Sequence, residues 1–274
     1  MEERKFLENC GYCRQNSRVS TINLPSGGEK LDIKRIIAGL DSFFAVEDLK
    51  GAESFLNTAL DKSVELGDKT GQLSILSELM GFHRRTANKE AALRASNDGI
   101  KLIFELNIGK SVSGATVLLN AATTLSAYGE AERAIGYFCE VMRVFSDNLD
   151  PSDYRFAGLY NNMGTAYSNL SDFENAITYY KAALGIVEKT DNRMEVAVTN
   201  VNIAELYANM QTEESCEEID RYVGAALFEL ESASVRDGYY AFTCRKCAPT
   251  LDRLGYFRDA RILNERADRI YAGN

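Results

Sequence analysis

The chain has no tryptophan, only one histidine and three prolines among 274 residues. Few prolines leave room for long uninterrupted helices. A single histidine, His83, leaves no pair of imidazoles for a zinc-hydrolase motif, and no HExxH, GxSxG or phosphate-binding glycine loop occurs. Long apolar runs are also missing, so no segment reads as a membrane-spanning helix. The N-terminal Met1-Glu2-Glu3-Arg4-Lys5 lacks the apolar stretch of a secretory signal. Positive charge is in deficit: 31 Lys and Arg against 40 Asp and Glu give a net charge of −9. That argues against nucleic acid or an anionic membrane as partner, since either requires a basic surface. Six cysteines without a secretory signal read as reduced thiols in a cytoplasm.

What is present is a repeat. Small residues recur at Ala52, Ala92, Ala134, Ala176, Cys216 and Ala260, at intervals of 40, 42, 42, 40 and 44 residues. Self-similarity at this period marks a stacked array of helical hairpins. Residues 1–28 show no sustained period and end in the turn signal Leu24-Pro25-Ser26-Gly27-Gly28. They form a leader, loosely attached or docked through Phe6, Leu7, Tyr12, Val19, Ile22 and Leu24. Residues 29–274 divide into six units, 29–68, 69–108, 109–149, 150–190, 191–232 and 233–274. In each, a first helix leads through a polar turn into a second. The turns fall at Ala45-Val46-Glu47, Thr86-Ala87-Asn88, Tyr128-Gly129-Glu130, Leu170-Ser171-Asp172, Gln211-Thr212-Glu213 and Leu254-Gly255-Tyr256. Phe173, Ala176, Ile177, Tyr180, Ala183, Leu184 and Val187 repeat at three and four residues, the spacing of one helix face. Pro151 fits a first helical turn. Pro249 falls inside a helical pattern, which predicts a kink or break near Cys247.

The segment from Leu159 to Leu184, with Tyr160, Met163-Gly164, Tyr167, Asp172-Phe173, Ala176, Tyr180 and Ala183 at its key positions, resembles a tetratricopeptide repeat. Gly164 and Ala176 are small where two helices cross closely, and Tyr167 and Tyr180 fill the holes beside them. The unit is longer than the usual 34 residues. Long units of this kind are similar to those of kinesin light chains and bacterial peptide-sensing regulators. The resemblance implies an all-α solenoid, a right-handed superhelix of six antiparallel hairpins. It also implies a non-catalytic adaptor or sensor, with no cofactor, that binds a protein or an extended peptide in a groove lined by first helices.

On those first helices one position falls on Ala38, Glu78, Asn120, Asn162, Asn202 and Lys246. A side-chain amide donates and accepts at once. Asn120, Asn162 and Asn202 therefore either hold a peptide backbone or bridge neighbouring helices. Asn161, Thr123, Thr165, Glu205, Asn169 and Asn209 are further groove candidates. Arg84 and Arg85, and Arg245-Lys246 near the other end, either meet acidic groups of a ligand or form a solvated face. Cys10-Gly11-Tyr12-Cys13 and Cys244-Arg245-Lys246-Cys247 are both CxxC, yet they lie 231 residues apart at Cys13 and Cys244. Cys244 and Cys247 read more simply as small core residues than as metal or redox ligands. His83 occupies a packing position. The alternative function is self-association, as a homodimer through the aromatic last unit (Tyr239, Tyr240, Phe242, Tyr256, Phe257).

Overall fold

The computed structural model describes residues 30–46, 48–190 and 192–273. The N-terminal leader and its CxxC, Cys10 and Cys13, lie outside the described residues. Twelve α-helices and no strand occur among the described residues. They fall into two compact units that divide between Asn148 and Leu149.

The first unit holds α1 (Ile33–Ala45), α2 (Leu49–Glu65), α3 (Lys69–Arg85), α4 (Lys89–Glu105), α5 (Val112–Ala127) and α6 (Ala131–Asn148). The second holds α7 (Arg155–Asn169), α8 (Phe173–Val187), α9 (Arg193–Met210), α10 (Ser215–Glu231), α11 (Gly238–Arg253) and α12 (Phe257–Tyr271). Odd-numbered helices are the first of each pair and even-numbered the second. The helix starts follow from the sequence. The side chains of Asp32, Asp48, Asp68, Asn88, Ser111, Asp172, Asn192 and Asp237 each accept from a backbone N–H of the turn that they open. Asp68 does more: Oδ1 accepts from the Gly71 N–H and Oδ2 from the Leu31 N–H, both at 2.9 Å, so one buried carboxylate caps α3 and fixes the approach to α1. Between paired helices the chain turns through left-handed backbone at Ala87, Gly129, Ser171, Gln211 and Gly255.

The buried face of the second helices repeats a four-residue frame. Ala52, Leu56, Ala59 and Ser63 fill it in α2, Ala134, Phe138, Val141 and Phe145 in α6, and Ala176, Tyr180, Ala183 and Val187 in α8. Small residues let the paired helix approach, and the large ones close the gaps. Gly164 shows how close that approach is: a methyl group there would stand 2.6 Å from Tyr180 Cδ1. In α10 the frame departs from expectation. Cys216 is exposed, and Ile219 takes its place ahead of Val223, Ala226 and Leu230. α9 and the turn after it are both longer than their counterparts in the preceding hairpin, and the buried phase of α10 falls three residues further on. Pro249 is the second departure. α11 runs unbroken from Gly238 to Arg253 with Pro249 inside it. The ring sits on the exposed side, as does Arg245, whose carbonyl loses its helical partner on the solvent side of the helix rather than in the core.

Within each unit consecutive first helices touch, α1 with α3 and α3 with α5, then α7 with α9 and α9 with α11. Consecutive second helices reach no comparable contact. The first helices are thus drawn together, and the face they line is the narrower one of each unit.

Candidate functional site

On the first unit's narrow face, Asn120 of α5 is half-buried and its Nδ2 donates to Ser77 Oγ of α3 at 2.9 Å. Arg84, one helical stripe on from Ser77, lies beside α5. Its Nη1 donates to the Asn120 carbonyl at 3.0 Å and to Thr124 Oγ1 at 2.7 Å. Burial lowers the Arg84 pKa, and the Tyr128 side chain opposes that shift. Arg85 turns to the other side, with its guanidinium 4.6 Å above the Phe44 ring of α1. Thr123 is half-buried and spends its hydroxyl on the Leu119 carbonyl. Glu78 shares the stripe of Arg85. Burial, and then the nearby Asp41 carboxylate of α1, raise its carboxyl to about 7.

On the second unit's narrow face the amides sit differently. Asn161, not Asn162, turns inward: it is buried and donates from Nδ2 to Thr199 Oγ1 of α9 at 2.9 Å. Asn202 of α9 reaches back one repeat and donates from Nδ2 to Asn161 Oδ1 at 3.4 Å. The Asn162 side chain is half-buried and makes no hydrogen bond with another described residue. Thr165 donates to the Asn161 carbonyl at 3.0 Å and pairs with the Tyr180 hydroxyl at 2.9 Å. Burial holds the Tyr180 phenol up at about 12, so it stays protonated. Glu205 pairs with Arg253 of α11. Asn169 and Asn209 are exposed at the ends of α7 and α9. Arg245 pairs with Asp268, while Lys246 is exposed.

The remaining chemistry-bearing residues are packed away. Cys244 and Cys247 are buried on α11, and burial pushes their thiols up to about 11 and about 12. Thiols held protonated are poor nucleophiles and poor metal ligands. Among the described residues no three Cys, His, Asp or Glu gather as a metal site. His83 is buried on α3, edge-on to Phe82, with Nδ1 4.0 Å from Glu53 and without a hydrogen bond. Burial lowers its pKa. A recess of about 460 Å³ opens between α11 and α12 around Pro249 and Phe257. It belongs to neither amide cluster. No described helix is long and apolar enough to cross a membrane.

Paired antiparallel helices with a small-large frame, stacked through their first members, define a helical-hairpin repeat protein. The family model of the tetratricopeptide repeat matches residues 157–189, the hairpin of α7 and α8. The fold is therefore that of a tetratricopeptide-type repeat array. Among solved structures the chain is similar to BtubC (BKLC) from P. vanneervenii, with 23% identity over 73% of this chain and 80% of that one and a TM-score of 0.60. It also matches a putative kinesin light chain of Podosopora anserina with nearly identical TPR-like repeats, at 16% identity over 74% and 96% of the two chains and a TM-score of 0.49. No curated protein matches. Repeats of this type are in general non-catalytic scaffolds that mediate protein–protein interactions.

Proposed function

We propose that the chain is a non-catalytic adaptor or sensor of the cytoplasm whose first-helix faces hold an extended peptide or a disordered segment of a protein, without nucleic acid, membrane or cofactor. Its groove residues are Asn120, Asn162 and Asn202, with Asn161, Thr123, Thr165, Glu205, Asn169, Asn209, Arg84 and Arg85 around them. The observation that carries the reading is Asn162. A half-buried amide with both its donors and its acceptor open is set to take a peptide N–H and C=O together. Asn120 and Asn202 each spend a donor on the neighbouring helix and keep Oδ1 for a ligand. Bridging and binding are then two uses of each first-helix face.

This division makes a clean test. A random-peptide display selection on the wild-type chain supplies labelled probes, and fluorescence anisotropy measures their affinity. Asn162→Ala should weaken the selected peptides about tenfold at an unchanged melting temperature, the worth of one or two hydrogen bonds. The Asn120→Ala and Asn202→Ala variants should lose both affinity and stability. If Asn162→Ala binds as wild type does, the stripe is structural.

The second reading is self-association. Of the last unit's aromatics, Tyr240 is buried, and Tyr239 and Tyr256 are half-buried and hydrogen-bonded to Glu195 and Asp220. Phe242 and Phe257 remain exposed, and Phe228 adds to the apolar surface of the second unit. Sedimentation across a range of concentrations tests it, and a monomer throughout removes it.

A further inference from the structure

Inside each compact unit, a hairpin seats the first helix of the next one in the cleft between its own two helices. α3 lies against α1 and α2, α5 against α3 and α4, α9 against α7 and α8, and α11 against α9 and α10. The seat on α8 is apolar. Its Phe173, Ile177, Tyr180 and Leu184 share one core cluster with Ala197, Val201 and Ala204 of α9. The hairpin of α11 and α12 has no such follower among the described residues. Its cleft is the recess of about 460 Å³ around Pro249 and Phe257.

Ala176 and Ala260 hold the same repeat position, so each residue of the recess has a counterpart in the filled seat. Ala248 and Ala260 are its buried floor, the counterparts of Gly164 and Ala176. Phe257 corresponds to the half-buried Phe173, but with no helix stacked on it the ring is 66% exposed. Arg261, Asn264 and Asp268 replace Ile177, Tyr180 and Leu184. Floor and one edge are apolar and the far wall is polar, the anatomy of a surface that a partner enters and leaves. The wall on α12 runs from Phe257 to Asp268, about three helical turns or about 16 Å. A trench of that length along one helix fits a second helix. Its charges are partly met: Arg261 pairs with Glu265 at 3.7 Å, and Asp268 with Arg245. Asp252, across the hairpin turn from Phe257, is exposed and has no ion pair among the described residues.

We propose that this recess is the docking site of an amphipathic α-helix of a partner protein, with an apolar stripe like that of α9 and a Lys or Arg in its last turn. The site is separate from the first-helix faces and does not rest on peptide binding there. The orientation follows from the repeat. The chain turns back between Val187 and Arg193, so α9 runs antiparallel to α8. A helix seated the same way on α12 brings its C-terminal turn to Phe257 and Asp252. That turn ends in unpaired carbonyls, which carry a partial negative charge. Two negative ends meet there unless the partner helix supplies a cation, and a Lys or Arg in its last turn offsets both. The apolar stripe covers Ala248 and Ala260 and packs its edge on Phe257. The net charge of −9 adds a general preference for a basic helix over an acidic one.

The test uses the full chain and three labelled helical peptides of the length of α9, by fluorescence anisotropy at low salt. Each has an Ala/Gln background and carries Met, Ala, Val, Val and Ala at the spacing of Met194, Ala197, Val198, Val201 and Ala204. One has Lys in its last turn, one has Lys in its first turn, and one has Lys in its last turn with the stripe scrambled. The first should bind about threefold tighter than the second, and the scrambled peptide should not bind up to about 1 mM. Asp252→Asn should remove the threefold preference in a double-mutant cycle. Phe257→Ala should weaken the first peptide about tenfold at an unchanged melting temperature, since the ring is exposed in the free chain. No binding of the first peptide, equal binding of the scrambled one, a Lys preference that survives Asp252→Asn, or undiminished binding by Phe257→Ala each overturns the site. Sedimentation of the wild-type chain without peptide checks for other occupants. A dimer that Phe257→Ala disperses would give the recess to a second copy, and peptide binding that appears only after deletion of residues 1–28 would give it to that segment. Either result overturns the assignment to a partner helix.

Discussion

Replacing Glu78 by Gln should change how stability responds to pH. In the folded chain the Glu78 carboxyl titrates at about 7, against an ordinary 4.5, because burial and then Asp41 oppose its charge. Each pH unit between these values is worth about 1.4 kcal/mol, so ionising the folded carboxyl costs at most about 3.4 kcal/mol. The side chain keeps some exposure, and solvent screening brings the expected figure down to about 1.5 kcal/mol. The sign follows from proton linkage. Below pH 4.5 the group is protonated in folded and unfolded chains alike, and nothing is lost. Between 4.5 and 7 the unfolded chain releases its proton while the folded chain keeps it, so wild-type stability falls as pH rises. Above 7 the loss is complete. Gln carries no charge and lacks that decline. His83, whose pKa burial lowers, destabilises the folded chain as pH falls through the ordinary imidazole range, but it is common to both proteins and cancels in their difference. Urea unfolding followed by far-UV circular dichroism near pH 4 and near pH 8 reads the effect. Glu78→Gln should gain about 1.5 kcal/mol on wild type between those two conditions. A difference that is the same at both pH values would refute the burial argument.

Further outcomes follow from packing. Gly164→Ala drives a methyl group to 2.6 Å from Tyr180 Cδ1 and should cost about 1–3 kcal/mol in urea unfolding. Gly81→Ala, with open space around it, should instead stabilise by about 0.5–1 kcal/mol. Asp68→Ala removes the α3 cap and the tie to Leu31 and should cost about 2 kcal/mol, with Asp68→Asn recovering part of it. In a background with Cys10 and Cys13 replaced by Ala, a thiol reagent should label the exposed Cys139 and Cys216 quickly. It should reach the buried Cys244 and Cys247 only on unfolding, and fast labelling of either would contradict their packing.

The periodicity of the apolar frame was enough to define the hairpins, because burial at every repeat imposes the same small and large residues. Where the frame shifted, the sequence misled. Cys216 sits at the interval expected for a buried small residue, but the longer α9 and the longer turn ahead of α10 put Ile219 there instead. Pro249 broke the local rule without breaking the helix, since its exposed position decides the cost and exposure is a tertiary property. Within the stripe of asparagines the sequence singled out Asn162, and the structure gives the inward bridge to its neighbour Asn161. Adjacent residues on a helix differ by about 100° in direction, and periodicity alone does not fix the phase that finely. Arg84 was legible as a cation but not as an unpaired one. Glu78 was aligned with the asparagines without its charge drawing notice. Its perturbation depends on Asp41 of another helix, and no local pattern displays that.

Peptide binding on the narrow first-helix faces is open to direct mapping. The most direct measurement places a photoreactive benzoyl-phenylalanine in a selected peptide, irradiates its complex with the wild-type chain, and maps the adducts by mass spectrometry. Adducts should fall on first helices, at or near Ser77–Arg84 of α3, Asn120–Thr123 of α5, or Asn162–Thr165 of α7. Adducts confined to the second helices α2, α4, α6, α8, α10 and α12 would contradict it.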